Sequence, residues 1–188
     1  MKAFNAGTLA GAGSFSCETC GFAVALYEQD EVPACPSCGG STFKRCSMFG
    51  GTPSRAAPRV DGGRPEWLDE ARESLERAGH YLAYDAGERA VAILLHDGWT
   101  RVGRSLTADV RLDDPTVSRR HALIYRDEAG TKVLDDRSLN GVFRNGERVE
   151  LSELGDGDTL TVGRFNLHFI TLDEEPARLP GETAGTRS

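Results

Sequence analysis

Two sets of side chains in this sequence are spaced for chemistry. The first is four cysteines in two pairs, Cys17-Glu-Thr-Cys20 and Cys35-Pro-Ser-Cys38, each trailed by a glycine. Four thiolates so arranged can close a tetrahedral zinc site. A glycine after each pair lets the backbone wrap back, so that its N–H groups face the sulfurs. Disulfides are disfavoured in a reducing compartment. A thioredoxin-like redox pair needs one CxxC in a βαβ setting, which is missing here. The expectation is one structural Zn2+ per chain on Cys17, Cys20, Cys35 and Cys38, with Cys46 a small strand residue outside the site.

The second set lies between residues 101 and 146: Gly103-Arg104, Ser118-Arg119-Arg120-His121, Ser138-Leu139-Asn140-Gly141 and Asn145-Gly146. Gly-Arg joins a freely turning backbone to a permanently charged fork that matches phosphate oxygens. Ser118 adds a hydroxyl and Arg119 a second cation. The Asn140 amide can donate to and accept from a peptide backbone at once. Together they make an anion site flanked by a group that reads main chain.

Short apolar strands must carry these loops. Ala90–His96, His121–Tyr125 and Val142–Arg144 flank them, and Val91-x-Ile93-x-Leu95 and Phe165-x-Leu167-x-Phe169 have the two-residue period of half-buried strands. Asn145-Gly146 signals a hairpin. No long helical pattern interrupts this region, so an antiparallel sandwich is expected over residues 80–172. Before it, residues 65–79 read as one amphipathic helix, with Pro65 in its first turn, Gly79 at its end and Trp67, Leu68, Ala71, Leu75 and Ala78 on one stripe. That stripe is expected to pack on the sandwich.

The ordered motifs Gly103-Arg104, Ser118-x-x-His121 and Asn140-Gly141 resemble the forkhead-associated (FHA) family over Tyr81–Leu172. The resemblance implies a β-sandwich that binds phosphothreonine peptides through loops at one end. Arg104 and Ser118 would hold the phosphate, Arg119 would reinforce them, and Asn140 would bind the ligand main chain. Gly103, His121 and Gly141 would support the loops. Leu139 stands where many members have Thr, and Arg144 where an apolar residue usually precedes Asn-Gly. Residues 17–49 resemble a zinc ribbon, with Phe22–Tyr27 strand-like and Thr42–Phe49 its last strand. So small a unit needs its metal to fold.

The rest of the chain is read as an N-terminal tail (1–16), a flexible linker (50–64) and a disordered, acidic then Pro/Gly/Thr-rich tail (173–188). A coil of the linker's length spans roughly 20–25 Å, so ribbon and sandwich are expected to move independently. The net charge of −7 argues against broad nucleic-acid or anionic-membrane binding. Screening within about 8 Å leaves Arg104, Arg119, Arg120 and Arg144 to set the local field. No apolar run is long enough to span a bilayer, and residues 1–16 make a poor signal peptide, so a cytoplasmic location is expected.

A non-enzymatic phosphothreonine adaptor in Ser/Thr kinase signalling follows, its partners being kinases or their substrates. Its own Thr8, Thr52, Thr183 or Thr186, once phosphorylated, would be candidate internal ligands. The alternatives are a CxxC redox enzyme, a hydrolase using Ser118 and His121, and a nucleic-acid-binding ribbon using Lys44 and Arg45 beside Phe43 and Phe49. No Gly-x-Ser-x-Gly, Walker A or HExxH motif supports an enzyme.

Overall fold

The computed structural model describes residues 3–47, 64–87 and 89–173. The segments read from sequence as the linker and the C-terminal tail fall almost wholly outside these residues. Near the N-terminus, β1 (Ala3–Asn5), β2 (Gly13–Cys17), β3 (Ala23–Leu26) and β4 (Thr42–Cys46) form an antiparallel sheet in the order β1-β4-β2-β3. The ribbon therefore starts before Cys17, which corrects the N-terminal tail expected over 1–16. Phe4 and Phe15 explain it: they meet edge to face at 5.1 Å, and Phe15 is fully buried with Phe22, Val24 and Phe43. A unit this small needs its phenylalanine rings to make a core.

Helix α1 spans only Glu66–Glu73, shorter than the 65–79 expected. Pro65 precedes its first turn, and the Ser74 hydroxyl donates to the Ala71 carbonyl at 2.6 Å, the local competition by which serine ends helices. Gly79 begins a strand instead of capping the helix. Leu68 nevertheless buries against Tyr81, Ala83 and Ile170, Trp67 meets the His168 ring edge to face, and Arg72 pairs with Asp156. The helix thus covers the outer face of one sheet.

The larger unit is a two-sheet sandwich. One sheet has β13 (Leu151–Leu154), β10 (Gly130–Asp135), β9 (Ala122–Asp127), β7 (Gly98–Gly103) and β8 (Val110–Arg111), in that order. The other has β12 (Glu147–Val149), β11 (Val142–Arg144), β14 (Thr159–Val162), β15 (Phe165–Leu172), β5 (Gly79–Asp85) and β6 (Ala90–Leu95). All pairings are antiparallel except the two-residue β7–β8 ladder. Alternate residues face inward, so Leu82, Val102, Ile124, Val133, Val142, Leu160, Leu167 and Phe169 fill one buried core. Asn145 and Gly146, with φ of 50° and 84°, form the β11–β12 hairpin turn.

Candidate functional site

Three loops meet at one end of the sandwich: 104–109 after β7, 112–121 before β9, and 136–141 between β10 and β11. His121 ties two of them. Its Nδ1 accepts the Ser118 N–H at 3.0 Å, which leaves Nε2–H to donate to the Gly141 carbonyl at 3.2 Å. Burial drives its pKa down to about 4, only partly offset by the Gly141 carbonyl, so the ring is neutral. The Ser118 hydroxyl accepts the Leu139 N–H at 3.0 Å, closing the same junction.

Backbone bonds join the first two loops. The Arg104 N–H donates to Ser118 O at 3.0 Å and the Ser105 N–H to Arg119 O at 3.1 Å. Contact is so close that a Cβ on Gly103 would stand 2.3 Å from the Arg119 carbonyl oxygen. Only glycine fits there.

These loops hold a segment of the ribbon. β3 is the edge of its sheet, and the outward groups of Ala23 and Ala25 point into the loops. The Asn140 carboxamide makes a two-point contact with one residue: Oδ1 accepts the Ala23 N–H at 2.8 Å and Nδ2 donates to the Ala23 carbonyl at 2.7 Å. A second Nδ2 bond reaches Thr116 O at 3.3 Å. Two residues on, the Ala25 N–H donates to Pro115 O at 2.7 Å, and Arg104 Nη1 donates to Ala25 O at 2.9 Å. The two units are therefore in contact, not independent as the linker composition implied.

Arg104 completes the contact. Its Nη1 also donates to Asp30 Oδ2 at 2.7 Å, its Nε donates to Asp113 Oδ1 at 3.1 Å, and its guanidinium lies 4.2 Å from the centre of the Tyr27 ring. The Arg104 side chain is only 6% exposed and that of Asp30 20%. Burial raises the Asp30 pKa, but the Arg104 hydrogen bond, the Tyr27 N–H and the Arg104 charge outweigh it and hold the carboxyl below its usual range.

Of the expected site residues, Arg104, Ser118 and Asn140 are buried at the ribbon contact, with Gly103, His121 and Gly141 behind them. Arg119 is exposed on the rim, where a cleft of about 620 Å³ lies between Tyr27 of the ribbon and Arg104, Ser118, Arg119 and Arg137. Arg120 turns to Asp136 instead. Arg144 is bound at 2.7 Å by Asp158 near the β11–β12 hairpin and does not add to the local field. Ser118 and His121 do not form a nucleophile–base pair, because the imidazole is engaged by the Ser118 backbone N–H and not its hydroxyl. Tyr27, Asp30 and Asp113 are the Arg104 partners that sequence reasoning misses, since neither a lone tyrosine nor an acidic residue in a turn carries a signal by type or spacing.

In the ribbon, the Cys17, Cys20, Cys35 and Cys38 sulfurs all lie within 4.8 Å of one another, with Cys17–Cys38 at 3.6 Å and Cys20–Cys35 at 3.5 Å. A tetrahedron with metal–sulfur bonds of about 2.3 Å has edges near 3.8 Å, so the set fits a thiophilic divalent ion. The Gly40 N–H points at Cys38 Sγ, 3.4 Å away. Burial raises the Cys17 pKa, yet the Cys20 and Thr19 N–H groups and neighbouring thiols bring it down to about 7. Cys46 stands outside the cluster, its thiol pushed up by burial.

The ribbon's Lys44 and Arg45 are both exposed, and they are two cations with no aromatic ring open beside them in Phe43. Arg45 donates to the Ala12 and Ala10 carbonyls, and the Phe43 ring is fully buried. No described helix is long and apolar enough to cross a membrane.

Comparison with known proteins places two family models on the chain: the FHA domain on residues 100–163 and a zinc-ribbon containing domain, DUF1451, on residues 1–47. The oxoglutarate dehydrogenase inhibitor of Corynebacterium glutamicum is 37% identical over 99 residues, 52% of this chain and 69% of that protein. The glycogen accumulation regulator GarA of Mycolicibacterium smegmatis is 41% identical over 87 residues, 46% of this chain and 53% of that protein. This chain therefore spans only about half the length of that regulator. The match to the Mycobacterium tuberculosis ABC transporter protein Rv1747 is 40% identical but spans 9% of it. A solved chain from a study of phosphothreonine-dependent FHA domain interactions superimposes with a TM-score of 0.48 at 31% identity, over 50% of this chain and 97% of that one.

Proposed function

The chain belongs to the forkhead-associated family, and from that premise we propose that it is a non-enzymatic adaptor in Ser/Thr kinase signalling that binds phosphothreonine peptides, with a ribbon held by one structural zinc. One observation carries the reading: the loops already hold an extended backbone by the Asn140 amide and, beside it, an anion on Arg104. Those two recognitions, of main chain and of negative charge, are what a phosphopeptide requires. Arg104 and Ser118 hold the phosphate, Arg119 reaches it from the rim, and Asn140 takes the peptide backbone. Gly103, His121 and Gly141 keep the loops in register. Zinc, when bound, supplies a cross-link among four thiolates that fixes both ends of the β3 segment.

The reading as an adaptor is supported by the names of its relatives, a regulator and an inhibitor, and by the engagement of Ser118 and His121 in loop structure. A cytoplasmic site of action accords with kinase partners. The four clustered thiols suit a metal better than a redox pair. As to an internal phosphothreonine, Thr8 donates its hydroxyl to Asn5 O at 2.6 Å, and Thr52, Thr183 and Thr186 lie outside the described residues. An oriented phosphothreonine peptide array, with the unphosphorylated peptides alongside, tests the function. Selective capture of phosphorylated members is expected, and equal capture of both sets refutes it.

A further inference from the structure

We propose that β3 and the Tyr27–Asp30 turn of the ribbon are a built-in, unphosphorylated ligand of the recognition loops, so that an external phosphothreonine peptide binds only by displacing the ribbon. This rests on the phosphothreonine reading for the identity of the competitor, though not for the contact itself.

The contact has the form of ligand recognition and not of general packing. β3 presents the unpaired edge of a sheet, and its alternate residues Ala23 and Ala25 offer their N–H and C=O groups to the loops. Asn140 reads both groups of a single residue. Asp30 then delivers a carboxylate to Arg104 at 2.7 Å, in the place the reading gives to a phosphate. Tyr27 stacks on the same guanidinium, and its N–H holds the Asp30 carboxylate at 2.7 Å, so the acid is aimed before it docks.

Exclusion follows from valence. An amide nitrogen has two donors, and those of Asn140 are spent on Ala23 O and Thr116 O. Nη1 of Arg104 is spent on Ala25 O and Asp30, and Nε on Asp113. A peptide cannot gain Asn140 while Ala23 keeps it. Competent protein is therefore only the undocked fraction, and apparent affinity falls by that fraction. Asp30 is the weakest point of the mimicry. It carries one negative charge where a phosphate carries about two, so a phosphopeptide prevails where an unmodified one does not.

Hydrogen exchange on the full-length protein tests the docking directly. The Ala23 and Ala25 amides lie on an outer edge and exchange fast in a free ribbon, whereas docking buries them against Asn140 and Pro115. Slow exchange at both is expected, accelerating when the tightest phosphothreonine peptide of the array is added to saturation and unaffected by its unphosphorylated form. Asp30→Asn and, separately, Tyr27→Ala should speed exchange at both amides and tighten that peptide about tenfold. Fast exchange at Ala25 in unliganded wild type overturns the proposal, as does unchanged protection at peptide saturation. If no peptide binds wild type or either variant, the phosphothreonine reading fails, while protected amides still uphold the ribbon as occupant of the loops.

Discussion

Arg104→Ala is the substitution whose effect is least intuitive, because Arg104 holds the ribbon and, in the proposed function, also the peptide. A hydrogen bond to a charged group is worth about 1.5–3 kcal/mol, so losing the phosphate contact alone weakens binding roughly 10–150-fold. The same substitution removes the bond from Nη1 to Asp30 and the stacking on Tyr27, freeing the ribbon. Asp113 lies on the sandwich beside Arg104 and not on the ribbon, so its bond to Nε is taken as common to both states and cancels. The apparent loss in the wild-type background is then a difference of two similar quantities, up to about 1.5 kcal/mol or roughly tenfold. In an Asp30→Asn background the ribbon opposes less, and the fuller loss of roughly 10–150-fold emerges. Titration calorimetry of the four full-length proteins of this cycle, each checked for a native unfolding transition, measures the coupling. An equal fold-loss from Arg104→Ala in both backgrounds refutes the argument that ribbon and peptide share this side chain.

Purified protein should contain about one zinc per chain by metal analysis, as a site closed by four thiolates requires. Cys35→Ser should lose it, Cys46→Ser should keep it, and chelation should tighten phosphopeptide binding by loosening β3. His121 is neutral when folded and has a pKa of about 4 against an ordinary 6.5. Its contribution is complete above pH 6.5 and is lost as pH falls toward 4, because there the unfolded chain takes the proton first. Urea unfolding should record a decline of roughly 3 kcal/mol from His121 across that window, to which His80 and His168, whose pKa values burial also lowers, add. His121→Gln should flatten most of it, and an unchanged slope counts against the assignment. Gly103→Ala should cost about 2 kcal/mol in the same assay, since its Cβ would meet the Arg119 carbonyl at 2.3 Å.

The loop motifs are legible in the sequence because each does a job tied to residue type. Gly103 has no room for a side chain, His121 must offer one acceptor and one donor, and Asn140 must do both to a peptide. The cysteine pairs are legible by spacing alone. What stays hidden depends on long-range placement. Phe4 lies in a glycine-rich run with no strand period, and only its pairing with β4 and its ring against Phe15, both set by the folded ribbon, make it part of that unit. The helix expected from periodicity is too long because Leu75 continues the apolar stripe, packing after α1 has stopped at Ser74. Asp30 is the sharpest case. Its partner Arg104 is 74 positions away, and nothing in Tyr27-Glu-Gln-Asp30 points there. Arg144 misleads for the opposite reason: its charge is visible in the sequence, but its neutralisation by Asp158 is not.

The edge of β3 has a consequence for assembly. A strand edge with free N–H and C=O groups is a template for another strand, and proteins usually blunt such edges with charge, proline or a cover. Here the recognition loops are the cover, and the small residues Ala23 and Ala25 leave the edge itself unguarded. Opening the site and baring a sticky edge are then one event. Arrival of a phosphopeptide at one end of the sandwich would expose, at the other partner of that contact, a surface ready to add a strand from a second protein.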